Sequence, residues 1–93
     1  MSLKTLARQL KNVALLTGTF TLRSGRTSHY YFDKYRFETH PGLLRAVARE
    51  LAAMLPEGVQ RLAGAELGGV PLATALALQT DLPFVIVRKA SKG

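Results

Sequence analysis

The chain contains no cysteine. That excludes a disulfide framework and a thiolate zinc site. Its two histidines, His29 and His40, are isolated from one another, so a histidine-based metal centre is not expected and no metal-ligating residue is assigned. Acidic residues are scarce: 6 Asp+Glu stand against 13 Lys+Arg, a formal net charge of +7. This imbalance points to an anionic partner such as a phosphate, a nucleotide, a nucleic acid or a carboxylated metabolite. The basic residues are scattered, with the densest cluster at Arg88, Lys89 and Lys92, which does not make a nucleic-acid-binding stripe. No stretch approaches the roughly 20 apolar residues of a membrane span. The N-terminal leucines are interrupted by Lys4, Arg8 and Lys11, so no signal-peptide core forms. The default expectation is a soluble cytoplasmic protein. Neither a G-x-G-x-x-G fingerprint nor a Walker lysine is present.

What remains is material for one small domain of 93 residues with a limited core. Leu3, Leu6, Ala7, Leu10, Val13 and Ala14 recur at helical spacing, with Ser2 placed to cap the helix and Gly18 to end it. The segment FTLRSGRTSHYYFD, residues 20–33, reads as a hairpin whose turn is Ser24-Gly25-Arg26. Tyr30, Tyr31 and Phe32 are consecutive, and strand neighbours point to opposite faces, so at least one ring must look outward or into a site. With Arg23, Arg26 and Arg36 nearby, such a surface suits a planar carboxylated ring. Pro41 opens a second amphipathic helix built on Leu43, Leu44, Val47, Leu51, Met54 and Leu55, and Pro56-Glu57-Gly58 closes it. His40 reads as a cap or surface residue.

Residues 61–92 form a strand–turn–helix–strand unit, the βαβ pattern of a parallel sheet. The apolar run Arg61–Ala65 enters the turn Glu66-Leu67-Gly68-Gly69, a helix covers Val70–Gln79, and Pro83–Val87 is a second strand ending in Arg88 and Lys89. Gly68 and Gly69 permit a close backbone approach or a positive φ. Turn amides beside a helix N-terminus make a candidate anion site. Glu66 is unfavourable there unless it faces away, pairs with an arginine, or touches a hydroxyl or a metal-bound water. The continuous apolar run Pro83–Val87 is that of a strand covered on both faces.

Three segments, GTFTLRSGRTSHYYFD, AGAELGGVPLATALA and LPFVIVRKASKG, resemble in order and spacing the N-terminal part of the orotate phosphoribosyltransferase family. The resemblance spans residues 18–93, apart from the generic helix between its segments. It implies an α/β fold, a type I phosphoribosyltransferase-like parallel sheet core, incomplete here, with an N-terminal hood of helix plus β-hairpin. Residues 1–38 would be the helix and hood, and residues 39–93 the first part of the core, ending at the mobile catalytic loop. It implies transfer of a phosphoribosyl group from phosphoribosyl pyrophosphate to orotate, giving orotidine 5′-monophosphate and pyrophosphate. Magnesium would be carried mainly by phosphoribosyl pyrophosphate. A homodimer with a loop contributed in trans is implied, and neither nucleic acid nor membrane is an expected partner.

Carried over by residue, the resemblance implies orotate binding by Arg23, Tyr31 and Phe32, with one ring stacking and the other bracing it. Phosphoribosyl pyrophosphate falls to Leu67, Gly68, Arg88, Lys89 and Lys92, with Lys92 the main catalytic residue. Some members place a lysine where this chain has Gly68, so this turn is expected to act through backbone amides. The family's downstream signature, an apolar strand with paired acids and a small-residue loop, has no counterpart in residues 1–93. The chain is therefore expected to be the N-terminal half of an enzyme and inactive alone. The alternative is a non-catalytic pyrimidine- or anion-binding regulatory module; a small RNA-binding domain is a third reading, from charge.

Overall fold

The structure is a computed structural model and describes residues 1–90. Helix α1 (Leu3–Ala14) starts at Ser2, whose hydroxyl accepts the Thr5 backbone N–H, and stops when Leu15 takes extended dihedrals. The helix therefore ends four residues before Gly18, where the sequence reading placed its stop. The chain passes directly into strand β1 (Leu15–Thr21), which includes Gly18. Two features explain the difference. Leu15 and Leu16 pair with the aromatic strand β2 (Thr27–Phe32), the register running Leu15↔Phe32 and Leu16↔Tyr31. Gly18, at φ 153°, sits where that register shifts between Thr17 and Phe20, a bulge of the kind glycine accommodates. The hairpin is thus longer than residues 20–33. Its turn is as expected: Gly25 takes φ 87° and donates to the Leu22 carbonyl.

Asp33 anchors the exit of the hairpin, its backbone N–H donating to the Ala14 carbonyl at 2.8 Å and its Oδ1 accepting the Tyr35 N–H at 3.2 Å. A single helical turn, α2 (Tyr35–Glu38), follows. Helix α3 (Pro41–Met54) is capped by His40, whose Nδ1 accepts the Leu43 N–H at 3.2 Å, with Pro41 in its first turn. Leu6, Ala14, Phe37 and Leu43 form the main buried cluster, with Leu10, Val47 and Leu72 packed against it. Residues on both sides of position 38 therefore share one core. Of the apolar face assigned to α3, Met54 lies outside, 68% exposed.

Strand β3 (Leu62–Ala65), helix α4 (Gly69–Thr80) and strand β4 (Phe84–Val87) make the expected βαβ unit, with β3 and β4 parallel from Leu62↔Phe84 to Ala65↔Val87. The tight fit is at Gly64: an added Cβ would meet the Gly69 carbonyl oxygen at 2.6 Å and the Ala73 Cβ at 2.7 Å. Two-sided cover of β4 is not found. Val85, Ile86 and Val87 are 44%, 54% and 49% exposed. The described residues supply a parallel sheet of two strands only, which leaves β4 with β3 as its one neighbour.

Candidate functional site

Tyr31 and Phe32 are adjacent in β2 but serve different surroundings. The Tyr31 ring pairs with Phe20, centroids 5.8 Å apart and planes at 36°. The Phe32 ring packs instead toward Phe37 of α2, at 6.0 Å and 39°. Thr19, Phe20, Thr21, Leu22, Arg23 and Tyr31 line an open groove on the hairpin. Arg23 and the half-exposed Tyr31 therefore line one groove, which supplies it with a guanidinium and an aromatic ring, the two groups that suit a flat carboxylated ring. Phe32 does not line that groove.

The second group of residues lies at the carboxyl ends of β3 and β4, where ligands of parallel sheets bind. Glu66 is held on both sides. Its backbone N–H donates to the Val87 carbonyl at 2.9 Å, and its Oε1 accepts the Lys89 backbone N–H. The carboxylate is thus engaged, and the turn after β3 is tied to the segment carrying Arg88 and Lys89. Both of these side chains belong to exposed residues. The Glu66–Leu67 peptide is cis. Leu67 is exposed and its carbonyl accepts the Val70 N–H at 3.1 Å, while Gly68 is buried with φ −63° and ψ −23°. Gly68 does not use a positive φ. Its lack of a side chain serves a close approach: a Cβ there would overlap Cε and Nζ of Lys34.

Lys34 belongs to no motif of the sequence. Its backbone is set by the hairpin exit, and its carbonyl accepts the N–H groups of Phe37 and Glu38 at 3.2 and 2.9 Å. Its side chain lies across Gly68, with Nζ also 5.9 Å from the Tyr35 ring centroid. The turn, which has no basic residue of its own, thereby receives an ammonium from a segment some thirty residues earlier in the chain. No local pattern signals this, because the contact depends on how the hairpin exit sits over α4. Lys34 also bears on Glu38, which is 4% exposed with neither carboxylate oxygen hydrogen-bonded among the described residues. Burial pushes the Glu38 carboxyl above its usual range, and the charge of Lys34 pulls the other way.

Lys92 lies outside the described residues. No cluster of three or more His, Cys, Asp or Glu able to hold a metal ion occurs among the described residues. A separate depression between α3, β3 and α4, lined by Leu51, Leu62, Leu72, Ala73 and Leu76, carries no charged side chain to orient an anion. No helix among the described residues is long and apolar enough to cross a membrane.

No family model matches the chain. Individual proteins do. The orotate phosphoribosyltransferase of Nocardioides sp. is 52% identical over 88 residues, covering 95% of this chain and 49% of that protein. The orotate phosphoribosyltransferase of Methanocella arvoryzae is 50% identical over 80 residues, covering 86% of this chain and 46% of that protein. Among solved structures, Leishmania donovani UMP synthase superposes with a TM-score of 0.83 at 34% identity, covering 94% of this chain and 20% of that chain. The Aeropyrum pernix orotate phosphoribosyltransferase gives 0.77 at 34% identity, covering 95% of this chain and 52% of that one. An adenine phosphoribosyl transferase from Trypanosoma brucei, 19% identical with a TM-score of 0.73, shares the fold alone. The chain spans about half the length of the curated relatives it matches. Its α/β arrangement, with two parallel strands and a hairpin, is an incomplete type I phosphoribosyltransferase core.

Proposed function

From the premise that this chain is homologous over most of its length to orotate phosphoribosyltransferases and makes up a portion of one, we propose that the protein carrying it transfers the phosphoribosyl group of phosphoribosyl pyrophosphate to orotate. The products are orotidine 5′-monophosphate and pyrophosphate, a step of pyrimidine synthesis. The observation that carries the reading is the 52% identity over 88 residues, which spans both the hairpin groove and the basic sheet edge.

In this reading Tyr31 and Arg23 receive orotate, ring against ring and guanidinium against carboxylate. Phe32 supports the strand from behind through Phe37. Leu67 and Gly68 present the pyrophosphate turn, and Arg88 and Lys89 stand at the neighbouring strand end. Cleavage of the ribose–pyrophosphate bond builds positive charge on the ribose and negative charge on the leaving group. Fixed cations and turn amides stabilise the latter, each well-placed donor lowering the barrier by about 3–4 kcal/mol. Lys92 takes the main catalytic part, on the resemblance of the sequence around it. The substrate is the magnesium complex of phosphoribosyl pyrophosphate. The Lys34 ammonium lies at this turn and Glu66 already accepts a backbone N–H, so the donor set here fits a metal carried on the substrate's oxygens. The hood and core division at residue 38, a cytoplasmic location and a homodimer sharing its loops belong to the same proposal.

The test is an assay of the complete gene product with orotate, phosphoribosyl pyrophosphate and Mg²⁺, following orotate loss and pyrophosphate release together. Stoichiometric formation of orotidine monophosphate and pyrophosphate is expected. Binding of both substrates without product would replace the enzyme with a sensing module.

A further inference from the structure

We infer that Lys34 is a direct ligand of the diphosphate group at the Gly68 turn, and that Gly68 lacks a side chain in order to admit it. The inference rests on the reading proposed above for what binds there. Lys34 would be a binding residue of that site in addition to Leu67, Gly68, Arg88 and Lys89.

Three observations support the assignment. The first is steric: the Cε and Nζ of Lys34 occupy the volume in which any Cβ at position 68 would lie. The second is the rigidity of its origin. The backbone around Lys34 is held by the Asp33 N–H on the Ala14 carbonyl at 2.8 Å and the Tyr35 N–H on Asp33 Oδ1 at 3.2 Å, with the first turn of α2 folded on the Lys34 carbonyl. An ammonium on a fixed stem loses less freedom on binding than one on a loop. The third is the local charge balance. Glu66, the carboxylate of the turn, accepts the Lys89 N–H, so its charge is directed at the exit of β4. The Lys34 ammonium belongs to an exposed residue and stands next to the backbone that opens α4, where N–H groups point outward. A doubly charged diphosphate there would meet Lys34 from the hairpin side and Arg88 and Lys89 from the strand side.

The experiment titrates inorganic pyrophosphate with Mg²⁺ into the complete gene product and its variants by calorimetry, beside steady-state kinetics. Lys34→Ala and Lys34→Gln should each weaken pyrophosphate binding, and raise the KM for phosphoribosyl pyrophosphate, by about tenfold or more, the scale of one charge-assisted contact. The KM for orotate should stay within about twofold, and Lys34→Arg should recover most of the affinity. Gly68→Ala should reproduce the defect by displacing the lysine, and adding it to Lys34→Ala should cost no more than about a further twofold, since the two changes remove one interaction. Wild-type pyrophosphate affinity in both Lys34→Ala and Lys34→Gln overturns the inference, even where the melting temperature falls, because Lys34 would then serve only Glu38 and packing. Additive effects of the two substitutions, or no pyrophosphate binding by the unsubstituted protein, overturn it too. Pyrophosphate binding through Lys34 in a protein that makes no product from orotate sustains the inference and removes the orotate reading; turnover that is indifferent to Lys34 does the reverse.

Discussion

Tyr31 and Phe32 have the same chemistry in the sequence and different jobs in the fold. Tyr31 lines the groove with Arg23, while Phe32 braces α2 through Phe37. Tyr31→Ala is expected to raise the KM for orotate by roughly tenfold, as for loss of about 1–2 kcal/mol of ring contact, with little change in melting temperature. Phe32→Ala should do the opposite, lowering the melting temperature by several degrees through loss of a half-buried ring. Kinetics and thermal melts on the two variants decide it: equal effects on the orotate KM would return Phe32 to the binding surface.

Glu38 offers a second test at this scale. Its carboxyl loses its proton near its usual 4.5 when the chain is unfolded, and at a higher pH when burial disfavours the charge. Between those two values the folded state binds more protons than the unfolded state, so stability falls as pH rises. The penalty is absent below 4.5 and complete above the folded value. Glu38→Gln should therefore raise the melting temperature at neutral pH and flatten the decline above pH 4.5. A melting temperature that falls at neutral pH in Glu38→Gln would show that Glu38 is paired and not penalised.

Among the elements, the junction of β3 and α4 has the least room. Gly64 lies against the Gly69 carbonyl and Ala73, backbone and a short side chain that cannot swing away. Gly64→Ala should force α4 off the strand and destabilise the protein by about 1–3 kcal/mol, measured as a fall in the denaturation midpoint. It should also disturb the Gly68 turn, which follows from the same strand. The βαβ unit, the Ser2 cap, the His40-Pro41 helix start and the Ser24-Gly25-Arg26 turn were all legible, because each is a local preference written within a few residues. The end of α1 was not. Leu15 and Leu16 extend a helical pattern, but pairing opposite Phe32 and Tyr31 draws them into the hairpin, and the bulge gives Gly18 a strand role. Nor was the exposure of the Pro83–Val87 run legible: apolar content reports a strand suited to cover, while the described residues contain only one neighbouring strand for it.

At the scale of the whole chain, the charge of +7 favours the approach of a small and highly charged anion such as the substrate proposed above. Raising ionic strength from about 0.01 M to about 0.1 M shortens the screening length from about 30 Å to about 10 Å. The KM for phosphoribosyl pyrophosphate should rise several-fold over that range, and that for the singly charged orotate should rise less. Parallel salt dependence of the two constants would argue against separate sites at the hairpin and the sheet edge.

The sequence by itself determined the elements, the excess of cations, the exclusion of thiolate chemistry and the kinship with orotate phosphoribosyltransferases, since these depend on residue type and spacing along the chain. Only the tertiary structure decided which aromatic ring shares a groove with Arg23, that Glu66 is engaged by the Lys89 N–H, that Glu38 is buried with no hydrogen-bond partner among the described residues, and that Lys34 reaches the turn at Gly68. Those are contacts between segments distant in sequence, fixed by how the hairpin exit and the βαβ unit pack, and no local pattern encodes the distance between them.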